Sequence, residues 1–276
     1  PTGYYVETLG EIGDLETETK ALLVENQLMD NAMPFSAKAQ QELPAHSKEE
    51  PWKIPKEEIK RRRDLRADHF VMSVDHIGCE DIDDALSVKK LKNGNYEFGV
   101  HIADVSYFVK HNSQLDIEAR RRSTSVYLVD RRLDMLPTIL SADLISLHAQ
   151  IDKLAVSVLW EFTKQGEIVN TWYGETVINS RYALHYEQAQ QIIDDKPVDY
   201  VPPKKRWRQM PVKKEDEEKV KESLILLQEF ASKIREKRES GGALDLESLD
   251  QVQIQLSEGD GQKPVKIYSK DDLEIH

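Results

Sequence analysis

The sequence predicts an α+β chain in which a small β-domain ends, a linker follows and a mixed sheet-and-helix domain begins. Three observations point there. Two strand-rich stretches fold back at Lys92-Asn93-Gly94-Asn95 and Lys164-Gln165-Gly166, an apolar stripe of helical period runs from Glu215 to Lys237, and no internal repeat is evident. At 276 residues the chain is long enough for one large domain plus a fragment of another, or for two modest ones.

Residues 1–33 read as the end of the β-domain, with apolar runs Tyr4 to Leu9 and Thr19 to Val24 as strands broken near Gly10 and Gly13. Residues 34–63 turn polar and proline-rich, through Pro34, Pro44, Pro51 and Pro55, and read as a linker wrapped over the surface. The larger domain occupies 64–276. Phe70 to Asp75 and Leu86 to Val88 are strand candidates, and Asn93-Gly94 supplies the hairpin turn into a third strand from Tyr96 to Val109. Alternation puts Phe98, Val100 and Ile102 on one face and Glu97, Gly99, His101 and Ala103 on the other.

Leu115 to Arg122 suggests a helix. A second hairpin joins Ala155–Phe162 to Ile168–Ile178, and residues 186–193 form a short helix. In the long helix, Val220, Leu224, Leu227, Ala231 and Ile234 make a packing stripe, acidic residues crowd the first turn and Gly241-Gly242 ends it. Gln251 to Leu256 and Val265 to Tyr268 alternate like edge strands.

The net charge of −12, from 38 basic and 50 acidic side chains, excludes a generally basic nucleic-acid binder; a polyanion must be met by local basic patches or by metal. The single cysteine, Cys79, excludes an internal disulfide framework and a thiolate zinc cluster, and fits a reducing compartment. No apolar stretch approaches membrane-spanning length and the first residues lack a basic stretch followed by an apolar core, so the chain reads as soluble, without a secretory signal or membrane partner.

The most informative segment is Asp75-His76-Ile77-Gly78-Cys79-Glu80-Asp81-Ile82-Asp83-Asp84, with five carboxylates in ten residues. Their mutual repulsion is relieved by large pKa shifts or by a divalent cation. On extended chain Asp81 and Asp83 project to one face. Asp75, ending the preceding strand, converges after Gly78 turns the backbone, and Asp84 approaches from the flank. Hard oxygen donors favour Mg²⁺ or Mn²⁺ over zinc, and the stretch does not follow the twelve-residue calcium loop. An acidic solvated turn is the alternative. Several aspartates holding Mg²⁺ are the equipment of two-metal phosphoryl hydrolysis.

That block, together with Asn93-Gly94-Asn95, Gly99-Val100-His101-Ile102-Ala103-Asp104-Val105, Thr124-Ser125-Val126-Tyr127-Leu128 and Arg131-Arg132-Leu133-Asp134-Met135-Leu136-Pro137, closely resembles the ribonuclease II and ribonuclease R (RNB) superfamily, within it the eukaryotic exosome-associated branch. The resemblance implies that residues 1–33 end a second cold-shock (OB-type) barrel and that 64–276 begin an RNB-type nuclease domain. It further implies Mg²⁺-dependent, processive 3′ to 5′ hydrolysis of single-stranded RNA to nucleoside 5′-monophosphates, exosome core subunits as partners, and RNA decay or rRNA processing in the cytoplasm, with a nuclear setting as the alternative. The family's catalytic aspartates fall on Asp75, Asp81, Asp83 and Asp84, and its aromatic clamp for terminal nucleotides on Tyr127; a ring stacks on any base and so suits sequence-independent degradation. The family usually has proline after the first aspartate, where this chain has His76. Its catalytic domain continues past the position of His276, adding an arginine, an acidic residue and an S1-type domain, so isolated activity of residues 1–276 is not expected.

Other residues carry two readings each. His101 either contacts RNA or is a hydrogen-bonded structural histidine, and Asp104 either faces the metal region or caps a strand end. Arg131 and Arg132 line the RNA path or are ordinary surface charges. Lys60-Arg61-Arg62-Arg63 with Arg66, against Asp64, gives a local charge of +4 suited to phosphate or to a solvated helix face. Lys204-Lys205-Arg206-Trp207-Arg208 touches RNA or a partner, or is a loop packed by Trp207. Two rival functions stand beside the nuclease: a non-catalytic RNA-binding or assembly module, and a Mg²⁺ phosphatase acting on small molecules.

Overall fold

The computed structural model describes residues 3–198, 211–243, 252–256 and 264–269. Its centre is a six-stranded sheet in the order β1-β8-β2-β3-β4-β7, built from β1 (Arg63–Asp64), β2 (Val71–Asp75), β3 (Asp84–Lys90), β4 (Tyr96–Ala103), β7 (Asp152–Phe162) and β8 (Ile168–His185). Pairing is antiparallel except where β1 and β2 run parallel to β8. Strand β8 is long enough to serve two neighbours: residues up to Asn179 pair with β7, and Ser180 to His185 pair with β2, so the pairing closes on itself. Closure removes most of the open edge that a flat sheet would present.

Both expected hairpins are present, through Gly94 and Gly166, and helices α6 (Gln114–Arg122) and α7 (Tyr186–Ile193) lie where periodicity places them. The third strand stops at Ala103 rather than Val109. There Asp104 accepts a hydrogen bond from the Tyr107 amide at 3.2 Å and caps the short helix α5 (Val105–Phe108). The expected strand at Thr19 to Val24 is instead helix α1 (Leu15–Glu25), whose N-cap Asp14 accepts from the Thr17 amide at 3.1 Å. The run is apolar from Ala21 to Val24, but the side chains it buries, Thr19 and Leu23, are one helical turn apart. Tyr4 to Leu9 forms no strand, and Tyr4, Tyr5 and Val6 are exposed. No neighbouring strand among the described residues pairs with that segment.

The proline-rich stretch carries helices α3 (Ala37–Gln41) and α4 (Lys56–Arg61) and is tied to the domain along its length. Ala39 is buried, Trp52 packs edge-on against Phe108, and the His46 ring, which accepts from the Trp52 amide at 3.0 Å, donates to Asp143 at 2.9 Å. The short helix α2 (Met29–Ala32) is clasped more tightly. Buried Arg122 donates to the carbonyls of Asn31 and Met33, its guanidinium lies 3.8 Å from the Phe35 ring centre, and Asn31 donates back to the Thr124 carbonyl at 2.6 Å.

Helix α8 (Glu217–Ser240) departs from its expected stripe. Val220, Leu224 and Phe230 are buried, Phe230 among Phe98 and Phe162, whereas Ala231 and Ile234 are exposed. Beyond Phe230 the helix buries no apolar side chain among the described residues and meets the β7–β8 turn through polar contacts, Lys233 donating to Lys164 O at 3.4 Å and Lys237 lying 3.6 Å from Glu167. Among the described residues no helix is long and apolar enough to cross a membrane. The last strands, β9 (Val252–Leu256) and β10 (Pro264–Ser269), pair antiparallel; Lys204 to Arg208 lie outside the described residues.

Candidate active site

Strands β2 and β3 are antiparallel neighbours, so the end of one and the start of the other lie together, carrying Asp75 and Asp84. Between them Gly78 adopts φ +84°, a left-handed conformation that side-chain-bearing residues disfavour, and the Cys79 amide returns to the His76 carbonyl at 3.2 Å. Ile82 is then buried in the main core, while its neighbours Asp81 and Asp83 are not.

Several hydrogen bonds hold this loop. The Leu147 amide donates to Ile82 O and the Ala103 amide to Asp83 O, each at 2.9 Å. Ser146 is fully buried; its hydroxyl donates to Glu80 O and accepts from the Ile82 amide, each at 3.0 Å. Ser146 follows the π-helical turn Leu140–Leu144, whose last carbonyls accept from the buried ammonium of Lys153.

The carboxylates repel one another as their spacing implies. Burial pushes the Asp75 carboxyl up to about 6, with the Ser73 hydroxyl opposing the rise and the charges of Asp84, Asp83 and Asp81 adding to it. Burial also raises Asp83, with Asp81 and Asp84 adding to it, and burial raises Asp84. Asp75 Oδ2 is buried without a hydrogen-bond partner. Asp81 is differently placed: Oδ2 accepts from the Tyr127 hydroxyl at 2.8 Å and Oδ1 lies 2.5 Å from Arg132 Nη1, while Arg132 Nε donates to Asp134. Tyr127 and Arg132 face each other across the small hairpin of β5 (Val126–Tyr127) and β6 (Arg132–Leu133), which delivers both to Asp81.

Donor chemistry and the unpartnered Asp75 oxygen fit a divalent cation. The expected convergence is nonetheless incomplete: among the described residues no three His, Cys, Asp or Glu side chains are already grouped as a metal-holding set. Asp81, directed to Tyr127 and Arg132, accounts for part of that. Cys79, beside Asp81, is buried, and burial followed by the Asp75 and Asp81 charges pushes its thiol up, so it is a packing residue and not a nucleophile.

The remaining candidates separate. His101 is a correction: it is fully buried, so it cannot touch RNA. Its Nε2 and Nδ1 hydrogen-bond Ser87 Oγ at 2.9 Å and Ser157 Oγ at 2.8 Å, and burial pushes it down to about 3. Asp104 caps α5 and lies 2.6 Å from buried Arg62. Arg131 is gripped by Glu16 through both carboxylate oxygens, at 2.7 and 2.8 Å, tying the hairpin to α1. The four arginines of the basic cluster are likewise spent internally: Arg61 on Glu58 and Glu175, Arg62 on Asp104 and Glu58, Arg63 over the Trp172 ring, Arg66 on Asp64 and Asp152.

Two residues near the carboxylates went unremarked in the sequence. Tyr186 follows His185, which pairs with Asp75, and its phenol is raised by burial and then by the Asp75 and Asp84 charges. Ser146 lies 71 positions from Asp75 in a stretch with no strand, hairpin or acidic signal, and only contact in three dimensions reveals it.

Comparison with known proteins gives a consistent result. A family model described as RNB domain matches residues 62–276, and one described as Dis3-like cold-shock domain 2 matches residues 1–27. The chain is 47% identical over 195 residues to the mouse exosome complex exonuclease RRP44, covering 70% of this chain and 20% of that protein. It is 37% identical over 280 residues to the Schizosaccharomyces pombe exosome complex exonuclease dis3, covering 100% of this chain and 26% of the relative. Mycoplasma genitalium RNase R, solved with ribose-methylated single-stranded RNA, superposes with a TM-score of 0.75 at 26% identity, covering 97% of this chain and 37% of that one. Yeast Ssd1, described as a pseudonuclease, shares the fold with a TM-score of 0.63 at 23% identity, over 89% of this chain and 27% of that one. The chain thus spans about a quarter of the curated relatives' length.

Proposed function

Because the chain belongs to the RNB family, we propose that it carries the front part of the catalytic centre of a 3′ to 5′ exoribonuclease, which degrades single-stranded RNA processively to nucleoside 5′-monophosphates. The observation that carries the reading is the group of four aspartates on a pinned loop, with an unpartnered buried oxygen on Asp75 and the Tyr127 ring beside Asp81. Asp75, Asp81, Asp83 and Asp84 would hold Mg²⁺, with Mn²⁺ as a substitute and room for two ions. When bound, the metal supplies positive charge against the phosphate and activates water for hydrolysis.

The chain's own residues do the rest. Burial raises Asp83 and Asp84, so their negative charge is unfavourable where it lies and a bound cation would offset it. Tyr127, 66% exposed, offers its ring to a terminal base while its hydroxyl keeps it against Asp81. Arg132 neutralises Asp81 and places a guanidinium where a phosphate approaches. The names of the curated relatives support an exosome setting, with exosome core subunits as partners in RNA decay or processing; a cytoplasmic site of action belongs to the same proposal.

The test is Mg²⁺-dependent cleavage of a 5′-labelled single-stranded RNA by the complete protein and by its Asp83→Asn variant. Stepwise 3′ shortening that the substitution abolishes is expected. RNA binding without shortening by the unaltered protein would favour the non-catalytic module instead, and turnover of a phosphomonoester without an RNA end would favour the phosphatase.

A further inference from the structure

We propose that Ser146 is a positioning residue for the aspartate loop, setting its affinity for a divalent cation; the inference rests on the nuclease reading above. The hydroxyl brackets Asp81. It donates to the carbonyl of the residue before, Glu80, and accepts from the amide of the residue after, Ile82, at 3.0 Å on each side. Only a side chain that donates and accepts from a single atom can close both bonds at once, and a hydroxyl is the smallest that does so.

The bracket has a mechanical consequence. The strip from Asp81 to Asp83 carries two of the carboxylates on either side of buried Ile82, and the bonds from Leu147 and Ala103 hold it only downstream of Asp81. Upstream, Gly78 and Cys79 form a turn whose amide bond ends at His76. Ser146 is therefore the contact that fixes the backbone on both sides of Asp81. It is itself immobilised: fully buried, two residues beyond the π-helical turn whose end Lys153 clamps. Without the hydroxyl, the Ile82 amide loses its acceptor and Glu80 O its donor, and the Asp81 main chain keeps only the weaker contact of the Cys79 thiol to its own carbonyl, at 3.5 Å. Carboxylates that already repel one another then spread, and the cation meets donors it must first reassemble. Loss of such supporting bonds typically costs 10–100-fold in metal affinity.

The experiment measures Mn²⁺ binding to the complete protein by electron paramagnetic resonance, without RNA, alongside the Mg²⁺ concentration giving half-maximal RNA shortening. Ser146→Ala should weaken Mn²⁺ binding by about 10-fold or more and raise the Mg²⁺ requirement in proportion, with KM for RNA little changed. Ser146→Thr, which keeps the hydroxyl, should stay within about 3-fold of the unaltered protein, and Ser146→Val, its isostere without the hydroxyl, should behave like alanine. Should the alanine variant fail to fold, the threonine and valine pair carries the same comparison. Ile178→Val, a core change on β8, controls for lost stability. Unchanged Mn²⁺ affinity in Ser146→Ala, or equal weakening in Ile178→Val, would overturn the positioning role while leaving the nuclease reading intact. Absence of Mn²⁺ binding by the unaltered protein would overturn both.

Discussion

The Tyr127 hydroxyl donates to Asp81 Oδ2 at 2.8 Å, joining the most exposed aromatic of the site to one of its acids across 46 positions of sequence. Burial and this bond together push the phenol up to about 12, so it stays protonated and keeps donating throughout the neutral range. The ring and the hydroxyl thus have separable duties, base contact for one and orientation for the other.

Substitution separates them. Tyr127→Phe keeps the stacking surface and should shorten RNA within about 3-fold of the unaltered protein, whereas Tyr127→Ala should lose about 10-fold or more, since stacking of one base is worth ~1–3 kcal/mol. Single-turnover shortening of a 5′-labelled oligonucleotide by the complete protein distinguishes the two. Equal losses would place the function in the hydroxyl.

Asp75 should be a residue whose removal stabilises the metal-free protein. Unfolded, its carboxyl ionises in the usual range; folded, only near 6, so folding is favoured at low pH and penalised progressively as pH rises from about 4 to about 6. Above that the penalty is constant, of order 3 kcal/mol. Asp75→Asn, melted in EDTA, should therefore gain roughly 6 °C or more at pH 7.5 and little at pH 4. A gain that persisted at pH 4 would show that charge is not the cause.

His101 contributes with the opposite sign. Between its ordinary value and about 3 the unfolded chain binds a proton that the buried ring refuses, so stability falls as pH drops below about 6.5. His101→Gln abolishes this titration. The stability difference between the two proteins, from urea unfolding, should narrow by about 2 kcal/mol between pH 7.5 and pH 5. A pH-independent difference would mean that the ring is charged when folded.

Gly99 is required by the same buried seam. A Cβ there would lie 2.5 Å from Ser87 Oγ, 2.8 Å from Leu159 Cδ2 and 2.9 Å from His101 Cε1, all in the sheet interior. Gly99→Ala should lower stability by about 2 kcal/mol through overpacking, read as a reduced urea midpoint at unchanged slope. An unchanged midpoint would mean that the Ser87 and His101 side chains have room to move.

Local signals carried the strand pairs, the hairpin glycines, helices α6 and α7 and the aspartate block, because each is written within ten or so neighbouring residues as a turn-former, a period or a charge cluster. Where local and tertiary demands differ, the local reading fails in explicable ways. Thr19 to Val24 looks like a strand by composition, but what it buries is a helical face. The apolar stripe of α8 continues to Ile234, yet beyond Phe230 the helix meets only the β7–β8 turn, through Lys233 and Lys237, and Ile234 stays exposed.

By itself the sequence determined the acids, the fold class and the family to which they point, since those reside in residue identity and spacing. The tertiary structure decided which partners each side chain has. It turned Arg131 to Glu16 and Arg132 to Asp81 though they are adjacent, enclosed His101 between two serines, engaged Arg61, Arg62 and Arg66 of the basic cluster in internal ion pairs, and brought Ser146 under Asp81. Contacts between residues tens of positions apart depend on how a closed sheet brings strand ends together, and no local pattern encodes that geometry.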